Sequence, residues 1–134
     1  MTPDQIIERL AAFQLKLFVK GKHGVEPAAP GVLSENLLLI RGLMINLVDC
    51  VADADLEYRH AKAARFDKLL QQNQPNGKPM SKSAALDALE MEPDLVDMKI
   101  ETERLKNYLK YVDGLCTSIQ SVLKFQTASD KSSF

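Results

Sequence analysis

A chain of 134 residues fits one domain with a modest core, and 46% hydrophobic with 26% charged residues is an ordinary balance for a globular protein. That composition excludes a disordered chain, a collagen and a disulfide scaffold, and the longest apolar run, LLLI at 37–40, is far too short to span a bilayer. With a formal charge of −1, any strong local field must come from segregation of charge along the chain.

The N-terminus, MTPDQ, lacks the basic-then-apolar order of a signal peptide, so the chain reads as cytosolic. Thr2-Pro3-Asp4-Gln5 is a compact helix start: Thr2 caps, Pro3 suits the first helical position, and Gln5 completes the capping-box spacing. The predicted helix runs over residues 1–20, turning Ile6, Leu10, Phe13, Leu17 and Val19 toward a partner. GKHGVEPAAPGVLS, residues 21–34, holds three glycines and two prolines and is predicted as loop. Ser34 then caps a second start, with Glu35 in its first turn favouring the helix dipole.

The second helix is predicted over 35–72. Leu37, Ile40, Met44, Leu47, Val51, Ala54, Tyr58 and Ala61 alternate spacings of three and four, a heptad seam. At 1.5 Å per residue such a helix reaches roughly 55 Å, so one end is expected buried and the other solvated. Residues 73–93 are predicted as a loop with a short helix, AALDALE, capped by Ser83. The last helix is predicted over 94–126, with Leu95, Met98, Thr102, Leu105, Leu109, Val112, Cys116, Ile119 and Leu123 on its seam. Residues 127–134 have no pattern and read as a flexible tail. No strand is predicted. The expectation is one all-α domain over 1–126: two long heptad helices with an N-terminal helix and a short connecting helix. Two such seams exceed what one monomer needs, which favours self-association.

Chemistry-bearing clusters are sparse. His23 and His60 lie in different elements with no other ligand at zinc spacing, no glycine-rich phosphate loop follows a strand, and the late serines have no histidine nearby. Cys50 and Cys116 fall inside helical patterns and read as small apolar residues. The acids Asp87, Glu90, Glu92, Asp94, Asp97, Glu101 and Glu103 read as a solvated face rather than a divalent-metal site. The expectation is a protein with no catalytic residues, no metal and no cofactor.

One stretch stands apart. Residues 58–83, YRHAKAARFDKLLQQNQPNGKPMSKS, carry Arg59, Lys62, Arg65, Lys68, Lys78 and Lys82 against the single acid Asp67. The first four recur every third residue, a stripe turning slowly around the helix, and Lys78 and Lys82 follow on a loop expected to be mobile. Acidic flanks at 49–57 and 87–103 sharpen the contrast. Such a patch binds phosphates by releasing counterions, with Tyr58 and Phe66 as nearby rings for stacking. The same charges also complement a helix C-terminus, and a solvated face needs no ligand.

Three segments tip that balance: AKAARFDKLLQ at 61–71, SKSAALDALEMEPDLVDMKIE at 81–101, and LKNYLKYVDGLCTSIQS at 105–121. In order and character they resemble the phage recombination mediator family typified by UvsY, over about residues 35–124. The resemblance implies rings built through the C-terminal helix, here by Leu105, Leu109, Val112, Leu115, Ile119 and Leu123. It also implies sequence-independent binding of single-stranded DNA in a phage-infected or bacterial cell, displacement of single-strand-binding protein, and help to a recombinase or annealing protein in loading. The family's basic cluster falls on Lys62 and Arg65, separated here by Ala63 and Ala64. The competing expectation is a helical adaptor that binds only protein, through the same seams and the acidic belt.

Overall fold

The computed structural model describes residues 1–72 and 74–132, with side chains described to residue 128. Its order is α1 (Pro3–Leu15), β1 (Phe18–Gly21), β2 (Gly24–Pro27), α2 (Pro30–Gln71), α3 (Lys82–Glu90) and α4 (Pro93–Ser132). The fold is all-α, carrying one small antiparallel hairpin.

α1 begins as the sequence predicts. Thr2 Oγ1 accepts the Gln5 backbone N–H at 3.2 Å, while Gln5 Oε1 accepts the Thr2 N–H at 2.9 Å. The helix stops at Leu15, five residues before its predicted end. The chain then folds back on itself, pairing Phe18 with Pro27, Val19 with Glu26, Lys20 with Val25 and Gly21 with Gly24. This hairpin corrects the expectation of a structureless loop. Phe18, Val19 and Val25 favour extended backbone, and two glycines bracket a two-residue turn at Lys22-His23, where Gly24 takes φ +105°.

α2 starts four residues before the predicted cap, at Pro30. Its fixed φ suits the first helical position, and the Leu33 N–H already donates to the Ala29 carbonyl at 2.9 Å. The cap of α3 is Ser81 rather than Ser83: Ser81 Oγ accepts the Ala84 N–H at 3.1 Å. α4 opens on Pro93 and passes its predicted end at 126, because 127–132 contains neither proline nor glycine and the Thr127 hydroxyl donates to the Leu123 carbonyl at 2.9 Å. The last two residues of the expected tail lie outside the described residues.

The chain, expected as one domain, divides into two compact units: Met1–Cys50 with Asn107–Phe134, and Val51–Lys106. The first unit draws its core from α1, the hairpin base and the facing parts of α2 and α4. Ile6, Leu10, Leu17, Leu33, Ile40, Leu47 and Val112 are all at most 1% exposed. Asn36, buried with them, is satisfied by donating from Nδ2 to the Val32 carbonyl at 2.8 Å. Cys116 Sγ lies 3.9 Å from Met44 Sδ, and burial pushes its thiol pKa up, so it behaves as an apolar residue. Neither cysteine is in a disulfide.

The second unit has a thinner core of Ala85, Leu89, Leu95 and Leu105, with Thr102 buried and donating to the Met98 carbonyl at 2.9 Å. Beyond Leu47, no residue of α2 is fully buried. The heptad positions Val51, Ala54, Tyr58 and Ala61 are half-covered.

Candidate nucleic-acid interface

All six basic residues singled out by sequence lie in the second unit. Four stand on the last turns of α2, Lys78 is on the α2–α3 connection, and Lys82 is the first residue of α3. Their electrostatic circumstances differ.

The two arginines are held by acids of their own chain. Arg59 Nε lies 3.0 Å from Asp55 Oδ2, one helical turn back, and Asp55 also faces Lys106 Nζ at 3.6 Å. The Arg65 guanidinium reaches Glu92, just before α4, at 2.6 Å. Exposed or half-exposed pairs of this kind contribute about 0–1 kcal/mol each. Their larger effect is to cancel charge where a stripe was expected.

The lysines are not cancelled. Among the described residues Lys62, Lys68, Lys78 and Lys82 make no ion pair. The Lys62 ammonium lies 5.9 Å from the centre of the Tyr58 ring, which orients it without neutralising it. Both residues line a groove of about 310 Å³ with Leu89, Glu90, Leu95, Val96 and Lys99. A second groove, about 290 Å³, runs past Arg65, Lys68, Leu69, Gln72, Ala88 and Glu92. Tyr58 and Phe66 are both half-buried, so each ring is partly committed to packing.

Lys78 sits on a more ordered connection than the sequence suggests. Gly77, at φ +78°, donates to the Gln74 carbonyl at 2.8 Å, and Gln74 donates to the Lys78 carbonyl at the same distance. The Lys78 N–H is taken by Asn76 Oδ1 at 3.0 Å. A closed turn therefore presents the ammonium from a defined backbone.

The C-terminal seam needs a correction. Leu105, Val112 and Ile119, expected at a subunit interface, are 1%, 0% and 2% exposed within a single chain. They serve the core. Leu109, Leu115 and Leu123 are half-buried. Large apolar residues also stand bare on the other side of α2, where Leu38 is 74% and Ile45 67% exposed, with Leu39 and Val48 beside them. The sequence already shows this half of the helix to be apolar on several faces, with Leu38, Leu39, Leu43, Ile45 and Val48 beside the seam; of these Leu43 turns out to be buried.

Among the described residues no three His, Cys, Asp or Glu side chains converge as a metal site would require, and no helix is long and apolar enough to cross a membrane. No family model, no curated protein and no solved structure matches this chain.

Proposed function

We propose that the protein is an oligomeric accessory factor of recombination that binds single-stranded DNA without sequence preference and assists a recombinase or annealing protein in loading. The observation that carries the binding is the set of four unpaired lysines, Lys62, Lys68, Lys78 and Lys82, gathered on the end of α2, the turn and the start of α3. Unneutralised ammonium groups on one small unit attract phosphates through counterion release. Arg59 and Arg65 play a secondary part, since a phosphate must compete with Asp55 and Glu92 for them. The recombination context and the loading role come from the family resemblance of residues 35–124.

The test is fluorescence anisotropy of a labelled poly-dT oligonucleotide at low and high salt. Binding that weakens steeply with salt supports the reading. An absence of binding at low salt rejects it.

A second reading, a helical adaptor that binds only protein, is favoured by the bare outer face of α2. A helix apolar on opposite sides normally has partners on both. Loss of self-association or of protein capture on Leu38→Glu with Ile45→Glu, with DNA binding absent throughout, would favour it.

A further inference from the structure

The hairpin that sequence patterning missed has two chemically different faces. Side chains alternate along a strand and residues opposite each other share a face. Leu17 and Ala28 extend the same register, with the Ala28 N–H donating to the Leu17 carbonyl at 2.8 Å, and both are buried. They mark the face that is covered at the hairpin base; Val19, Gly21, Gly24 and Glu26 follow on it by alternation, and past the base it opens to solvent, Val19 being 49% exposed. The outward face is Phe18, Lys20, Val25 and Pro27, and all four are exposed, Phe18 at 39% and Val25 at 75%.

Charge follows the same division. Glu26 is the only acid between residues 9 and 34, and its half-buried carboxylate lies over Gly21 on the face of Leu17 and Ala28. The outward face carries Lys20, and the turn beyond it presents Lys22 and His23 to solvent. Lys20 and Lys22 make no ion pair among the described residues. A partly exposed ring, two short apolar side chains and uncancelled cations therefore stand together, with no carboxylate among them.

We infer that this outward face is a further contact for single-stranded nucleic acid, in which Phe18 stacks on a base while Lys20 and Lys22 hold phosphates. Positions i and i+2 of a strand lie about 7 Å apart, the scale on which a nucleotide separates its base from its backbone. Aromatic side chains joined to cations are the usual means of sequence-independent single-strand binding. The inference shares its ligand with the proposed function but rests on different residues, in the other compact unit.

The test measures poly-dT binding by wild type, Lys20→Glu with Lys22→Glu, Phe18→Ala, Phe18→Tyr, and Lys62→Glu with Lys68→Glu. Circular dichroism confirms helix content for each. Reversing the hairpin lysines should weaken binding at least about tenfold at low salt and reduce the slope of log K against log salt by about 1.4, two phosphates' worth. Phe18→Ala should weaken binding about fivefold or more with the slope retained, and Phe18→Tyr should restore it. If wild type binds and every hairpin variant matches its affinity and slope, the hairpin inference fails while the α2 reading stands. If only the hairpin variants lose binding, the α2 reading fails. Failure of wild type to bind at low salt overturns both. A hairpin variant that binds DNA normally but no longer binds a protein partner also overturns the inference, assigning the face to that partner.

Discussion

The two halves of α2 solve opposite problems with one helical period. Up to Leu47 the helix is anchored by side chains that are almost wholly covered, with Leu33, Ile40 and Leu47 each at 0% exposure. After Leu47 the same seam continues, yet none of its residues is buried, and the helix meets its neighbours through shallow contacts and through the ion pairs Asp55–Lys106 and Arg65–Glu92. An apolar period thus reports which face of a helix turns inward. It does not report how deep that face goes, which depends on how much chain is available to cover it.

The comparison can be broken most directly through packing. Leu47→Ala should cost about 2–5 kcal/mol in urea denaturation, as deletion from a sealed core does. Leu56→Ala, at a position 53% exposed in the second half, should stay within about 0.5 kcal/mol of wild type. Equal losses would mean that the second half is as tightly covered as the first.

Charge sharpens the contrast next. Lys62→Glu with Lys68→Glu should weaken poly-dT binding by about tenfold or more at low salt, about 1.4 kcal/mol, with the salt slope falling by about 1.4 and helix content unchanged. An unchanged slope in the anisotropy titration would show that these lysines touch no phosphate.

Smaller effects probe the ends of elements. Ser81→Ala removes the acceptor of the Ala84 N–H and should cost about 1 kcal/mol in thermal or urea unfolding, whereas Ser83→Ala should be nearly neutral. Glu92→Gln should lower stability by under about 1 kcal/mol. It should also raise DNA affinity a few-fold, because it frees Arg65. Anisotropy on that variant separates a guanidinium held in reserve from one with no part in binding.

These contrasts bear on what the sequence made legible. The Thr2–Gln5 capping box was readable because a cap is a local arrangement of four residues. The α4 seam was readable as well: each of its nine positions, from Leu95 to Leu123, is buried or half-buried. What the seam faces was not readable, since a core and a subunit interface ask for the same leucines; burial assigns Leu105, Val112 and Ile119 to the core. Arg59–Asp55 follows from spacing of one turn and was available to inspection. Arg65–Glu92 was not, because it joins residues that only the fold brings together. The hairpin escaped notice because each strand has four residues, too few to show a period against a background of glycine and proline.

Gly21 carries a last consequence. Its missing side chain leaves the space that the Glu26 carboxylate occupies, so any larger residue there would turn that acid out of its place. The flexible end of Glu26 would yield before the backbone did. The negative charge would then leave its place over Gly21 for solvent near the hairpin tip, where Lys22 stands. In this protein the sign of an exposed surface is guarded by the one kind of residue that has nothing to present.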